Sequence, residues 1–512
     1  MTSEVIQWLL YPFSTRPGVI NSKIISNIQI QMRNKNAIRI TLLLTTLFIS
    51  QGIPAQISEP GIQASNALAA ECWVTDPVQN ILFQPLQSFS EVKNSGQAGQ
   101  VIVVDESNTF QTMDGFGYTL TGGSAIHLNG MGPVERQDLL NELFGTGPGQ
   151  IGVSYLRISI GASDLSDHVF SYNDLPAGET DPGMVHFSID PERKDVIPLL
   201  KQILAINPRI KILGSPWSPP AWMKDNNDTR GGSLKPEWYA AYALYFVKYI
   251  RAMQQEGIVI DAVTIQNEPL HPGNNPSLLM LPEEQCDFLK NHLGPAFKRE
   301  GITTKIILYD HNADRIDYPI SILDDPEARQ YADGSAFHLY AGKIEDLSKV
   351  HEAHPDKNLY FTEQWVGAPG NFAEDIPWHV RELIIGASRN WCRTVLEWNL
   401  SSNPKLTPYT DRGGCSKCLG AVTIDGSRVT RNPAYYIIAH ASKHVRPGSV
   451  RVASTVPGKL NNVAFRTPDQ SIVVIVQNGS SVAQQFTIRA GETSLNASLS
   501  EGAVGTYVIR RE

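Results

Sequence analysis

The sequence predicts an α/β chain: a (β/α)8 TIM barrel with an accessory β-sandwich built from N- and C-terminal strands. Between about 111 and 443, eight short apolar runs alternate with longer amphipathic stretches, the pattern of a parallel barrel wrapped in helices. From 446 to 512 the helical stretches stop and short alternating runs take over, "VRVAST", "VAFRTP", "SIVVIVQN", "QQFTIRA" and "GTYVIRR". Such runs with turn residues between them indicate a small β module. Ahead of the barrel, "GQVIVVDESNTFQTM" is again strand-like, so strands within 75–110 are expected to complete that module.

In order, the barrel runs are "MDGFGYTL", "GVSYLRISIG", "RIKILGSPW", "DAVTIQNEP", "TKIILYD", "GSAFHLYAG", "NLYFTEQW" and "RTVLEWNL". Between them lie helix-like stretches, among them "PVERQDLLNELF", "KPEWYAAYALYFVKYIRAMQQEG" and "PEEQCDFLKNHLGPAFKREG". The last two start near Pro and stop at Gly, as helices commonly do. An open doubly wound sheet would carry a glycine-rich phosphate loop after its first strand. "GFGYTLTGG" has the glycines without the GxGxxG spacing.

Composition narrows the partners. With 512 residues, 42% hydrophobic and 18% charged, the chain is that of an ordinary globular protein. Its net charge of −8 disfavours nucleic acid, whose binders usually show a basic face. "MRNKNAIRITLLLTTLFISQGIPAQ", from Met32, has the basic start, apolar middle and small-residue exit of a secretory signal. Residues 1–56 are therefore expected to be an N-terminal extension and signal peptide, and the protein to be exported. The apolar stretch is shorter than the roughly 20 residues of a permanent span, though an uncleaved anchor is the alternative. Five cysteines are too few for a disulfide scaffold. Cys415 and Cys418 form a CxxC with no second ligand pair, so a local staple is expected rather than a zinc site.

The chemistry points to strand ends, where loops of a barrel build the site. "TIQNEP" puts Glu268 after the fourth strand and "LYFTEQW" puts Glu363 after the seventh. Two facing carboxylates are what glycoside hydrolysis uses, one as proton donor and one as nucleophile or base. Taken alone, "NEP" reads equally well as a turn. Trp217, Trp222, His338, Tyr340, Trp365 and Trp398 also fall at or beyond strand ends. Indoles there are either sugar platforms, since sugars present apolar C–H faces, or simply core.

"TMDGFGYTLTGGSA", "YLRISIGASDLS", "LGSPWSPPAWMK", "TIQNEP", "FHLY", "FTEQWVG", "EWNLSSNP" and "TRNPAYYIIAHASKHVRPGS", taken in series, resemble glycoside hydrolase family 30. That family contains glucosylceramidases and bacterial endo-β-1,6-glucanases. The resemblance, from about residue 75 to the C-terminus, implies a retaining enzyme with no metal or organic cofactor. It makes Glu268 the acid/base and Glu363 the nucleophile. It also implies that Asn267 binds the sugar 2-hydroxyl, that Arg157 lies beside the nucleophile, and that Trp217, His338, Tyr340 and Trp398 line the pocket. Glucosylceramidases carry a glucose-gripping aspartate in the first-strand loop, where this chain has Gly122. Leu339 stands where they have an indole and Trp365 where they have a small thiol. These departures favour a β-glucan, β-1,6-linked, as substrate, with glucosylceramide-like lipids as the alternative. A non-catalytic carbohydrate-binding protein would be marked by loss of one carboxylate, and both are present.

Overall fold

The structure is a computed structural model that describes residues 70–86, 90–91 and 99–510. The N-terminal extension and its expected signal peptide lie outside the described residues. Eight parallel strands close into a barrel in chain order. They are Gly115–Leu120, Tyr155–Ile160, Lys211–Pro216, Ala262–Thr264, Lys305–Asn312, Ala332–His338, Asn358–Glu363 and Cys392–Asn399. Each overlaps one of the eight apolar runs. The fourth is shorter than its run and stops at Thr264.

Because alternate strand residues face opposite ways, the barrel lumen is built in levels. Tyr155, Leu213, Ala262, Ile307, Ala336, Tyr360 and Leu396 form a buried apolar floor. Two residues further along the same strands stand Arg157, Ser215, Thr264, His338, Thr362 and Trp398, also buried. The outward faces pack under the helices. Along Tyr239–Gln255, for example, Tyr242, Tyr245, Phe246 and Tyr249 fall on one stripe and enter the main core.

The period of two breaks at the mouth. Asp310 is an extra residue between Tyr309, opposite Ala336, and His311, opposite Phe337. Tyr309 and Asp310 both adopt left-handed backbone, at φ 69° and 70°. Thr362 is likewise extra between Phe361 and Glu363, and Trp398 between Glu397 and Asn399. Such bulges re-aim side chains next to active sites. Here they turn Asp310 into the lumen and let Thr362 and Glu363 both reach the mouth.

Four N-terminal strands, Ala70–Asp76, Ile81–Leu86, Ser90–Glu91 and Gln100–Thr112, join six strands between Val450 and Ile509 in a ten-stranded sheet. The first begins at Ala70, ahead of the expected position 75. Four strands separate those of Phe486 and Tyr507 in the hydrogen-bonded order, yet the two rings meet at 5.9 Å. The sheet is thus folded over on itself as a sandwich. The unbroken apolar run "SIVVIVQN" follows from burial on both faces. Ile472, Val474 and Val476 enter the sandwich core, whereas Val473 and Ile475 join the barrel-side core. Cys415 and Cys418 are joined by a disulfide. No helix among the described residues is long and apolar enough to cross a membrane.

Candidate active site

Glu363 is the last residue of the seventh strand, but Glu268 lies four residues beyond the fourth. The intervening chain still bridges its neighbours: Asn267 N–H donates to the Pro216 carbonyl (2.8 Å) and Glu268 N–H to that of Asp310 (3.0 Å). Glu268 has a φ of 44°, a left-handed conformation uncommon for a residue with a side chain. These bonds hold it there, and its carboxylate faces Glu363 across the mouth. Ligand-type atoms of Glu268, His338 and Glu363 all lie within 4.8 Å of one another.

Arg157 organises the cluster from below. Its Nη1 donates to Glu363 Oε2 at 2.5 Å, its Nη2 to Asn267 Oδ1 (2.6 Å) and Asp310 Oδ2 (2.8 Å), and its Nε to Ser215 Oγ (3.0 Å). His338 Nδ1 contacts Glu268 Oε1 at 3.0 Å, and its Nε2 contacts Asp310 Oδ1 at 3.1 Å. Tyr340 donates its hydroxyl to Glu363 Oε1 at 3.0 Å. Asp310 also accepts from the hydroxyls of Thr264 (2.7 Å) and Thr362 (2.6 Å). Such a closed network is what allows charges to stay buried.

The electrostatics follow from a count. Arg157 and a charged His338 face three carboxylates: Asp310, Glu268 and Glu363. Burial opposes charge on His338, yet Glu363, Asp310 and Glu268 outweigh it and push the imidazole up to about 9. Asp310 is held far below the usual carboxylate range; burial would raise it, but the Arg157 charge and the His338 bond prevail. Burial raises Glu363, and the Glu268 charge adds to this. Burial would raise Glu268 too, but the His338 bond and charge bring it down. The two carboxyls lie too close to titrate independently, so their titration belongs to the pair, with the proton drawn towards Glu363 in the resting site. Both His338 nitrogens are engaged by carboxylates, and a charged ring offers no lone pair. The donor set is therefore suited to acid–base work rather than to holding a metal.

The description "Glycosyl hydrolase family 30 TIM-barrel domain" matches residues 113–445, and "Glycosyl hydrolase family 30 beta sandwich domain" matches residues 448–507. The chain belongs to glycoside hydrolase family 30. It is therefore an O-glycosyl hydrolase. Among its relatives in family 30 is Endo-1,6-beta-D-glucanase neg1 of Aspergillus fumigatus, 34% identical over 78% of this chain and 87% of that protein. The solved endo-beta1,6-glucanase BT3312 is 35% identical with a TM-score of 0.79, covering 86% of this chain and all of that one. Lysosomal acid glucosylceramidase of Mus musculus is 30% identical over 82% of this chain and 85% of that protein.

Within this family-30 site, the expected residues divide by exposure. Arg157 and His338 have no exposed surface and contact the carboxylates from beneath. Trp217 and Trp398 are also buried, 5.4 Å apart, and the Arg157 guanidinium lies 4.9 Å over the Trp217 ring. Trp222 is a core indole bonded to Asn173. Tyr340 and Trp365 are the aromatics that reach the surface of the mouth. Leu339 is core.

Two residues escaped the sequence reading. Asp310 ends the run "TKIILYD", and the strand-end rule that found both glutamates applies equally to it. Asp164, in the second-strand loop, lies close enough to Glu363 and Glu268 to feel both. Burial first, then those charges, raise its carboxyl to about 8. Gly122 faces that same loop, where a Cβ on it would lie 3.2 Å from the Ser166 hydroxyl oxygen.

Proposed function

We propose that this chain is an exported, retaining β-glucanase that hydrolyses β-1,6-linked glucan, with Glu363 as nucleophile and Glu268 as acid/base. The observation that carries the reading is the spacing of the two carboxylates, whose facing oxygens lie within 4.8 Å. Retaining glycosidases hold their carboxyl groups closer, about 5–5.5 Å apart, than inverting ones, at about 6.5–9.5 Å with room for a water, and so short an approach of oxygens favours retention.

Attack on the substrate requires the reverse of the resting distribution, with a proton on Glu268 and the charge on Glu363. Arg157 and Tyr340 favour this form by donating directly to Glu363. Glu363 attacks the anomeric carbon while Glu268 protonates the departing glycosidic oxygen. The resulting ester neutralises Glu363, so Glu268 becomes a stronger base and draws a proton from the incoming water. The Asn267 amide oxygen is occupied by Arg157, which leaves its NH2 for a sugar hydroxyl beside the reacting carbon.

The β-1,6 linkage is supported by the two endo-1,6-glucanases described above. The murine relative supports cleavage of glucosylceramide as the second reading. Export is supported by the signal pattern from Met32 and by the Cys415–Cys418 disulfide, which suits an oxidising compartment. Product analysis on β-1,6-glucan, laminarin, xylan and glucosylceramide tests the assignment. Oligosaccharides released from the first are expected; glucose released only from the lipid would replace the first reading with the second.

A further inference from the structure

The loop after the eighth strand crosses the mouth as a strap fastened to four others. Thr410 N–H donates to the Asp164 carbonyl in the second-strand loop (3.0 Å). Asp411 accepts from the Asn275 amide in the fourth-strand loop (2.9 Å), and Arg412 makes two 2.9 Å bonds to Asp228 in the third. Gly367 and Cys418 pair as short antiparallel strands, and Ala368 N–H donates to the Lys417 carbonyl (2.8 Å). This binds the strap to the segment just after Glu363. The Cys415–Cys418 disulfide closes the end of the strap, and both cysteines belong to one apolar cluster with the Trp217, Trp365 and Trp398 indoles. At Gly413 the crossing is so tight that a Cβ would lie 2.6 Å from the Gly273 carbonyl oxygen.

Among the described residues, the large apolar side chains left exposed include two aromatics, Tyr340 and Tyr409, at 40% and 41%. Tyr340 touches Glu363. Tyr409 is on the strap, one residue before Thr410, whose N–H is held by Asp164, itself close enough to feel Glu268 and Glu363. An exposed ring on a rigid, multiply tethered support is a pre-organised platform for the apolar face of a sugar. We propose that Tyr409 is a contact for the glucan chain beyond the sugar being cleaved, and that the Cys415–Cys418 staple positions it. The inference rests on the glucanase reading. The bonds of Arg157 to Glu363, Asn267, Asp310 and Ser215 involve no strap residue, so the contact is placed to act on chain affinity rather than on bond cleavage.

The test compares Tyr409→Ala, Tyr409→Phe and the double substitution Cys415→Ser/Cys418→Ser on soluble β-1,6-glucan and on 4-nitrophenyl β-glucoside, which has a single sugar. In Tyr409→Ala, KM for the glucan is expected to rise about 2–10-fold while kcat stays within about twofold, the loss of one ring–sugar contact. Tyr409→Phe should restore KM. The double serine variant should shift it in the same direction, lowering the ratio of kcat/KM on glucan to that on the aryl glucoside. An unchanged glucan KM in Tyr409→Ala, or an equal loss on both substrates, overturns the proposal. A wild-type enzyme inert on every β-glucan overturns the glucanase reading as well, so the two failures are distinguishable.

Discussion

The floor and the mouth of the barrel lie two residues apart on the same strands, yet they are built by opposite rules. The floor is apolar, from Tyr155 round to Leu396. The mouth holds Arg157, His338, Tyr340 and three carboxylates in one hydrogen-bonded cluster, with extra residues at Asp310, Thr362 and Trp398 and left-handed backbone at Tyr309, Asp310 and Glu268. Hydrophobic burial below fixes where the strands end. That rigidity lets the irregular level above hold buried charges in one arrangement. Stability and chemistry are thereby separated by one step of the pleat.

Substitutions at the two levels should separate accordingly. The largest effect is expected at the carboxylates. Glu363→Gln should lower kcat at least about 10⁴-fold, and Glu268→Gln about 10²–10⁴-fold on substrates with poor leaving groups. Circular dichroism should show the fold intact in both. Near-normal turnover of an activated aryl glucoside by Glu363→Gln would remove it from the nucleophile's role. Next comes Asp310→Asn, which leaves Arg157 and His338 short of a buried counter-charge. It should cost about 3–5 kcal/mol in denaturant unfolding and also lower kcat. Leu213→Ala, at the floor, should cost about 2–5 kcal/mol while the folded fraction keeps its kcat. Equal loss of kcat in these two variants would erase the distinction between the levels.

The smallest effect is on pH dependence. The His338 pKa is raised from 6.5 to about 9 in the fold. Its contribution to stability is therefore complete below about 6.5 and lost as pH rises through about 9. The buried acids Asp164 and Glu192, both raised to about 8, act in the same direction over pH 4–8. The unfolding midpoint of the wild type should accordingly fall on the alkaline side. Glu192→Gln, which is away from the site beside Tyr172, should make that fall shallower without altering the pH–rate profile. A midpoint flat from pH 6 to 9 would contradict this.

The sequence made the floor legible because period-2 alternation survives there, and all eight barrel strands overlap predicted runs. Glu268 and Glu363 were legible as acids where apolar runs stop. What alternation could not show were the bulges, because an extra residue leaves no mark on composition. Counting by twos from Ile307 reaches Tyr309 and passes over Asp310. Asp164 was hidden for another reason: it lies in a loop, and only the fold brings that loop against the glutamates. Trp217 and Trp398 were open to two readings, sugar platform or core, and only the fold shows both buried beside Arg157.

The central claim is that Glu268 and Glu363 are close enough for one to attack carbon while the other handles the proton. Proton NMR of the first sugar released from a β-linked substrate, recorded before mutarotation, tests it most directly. The β anomer is the predicted first product. An α anomer would mean that water attacks from the opposite face, and would contradict the account.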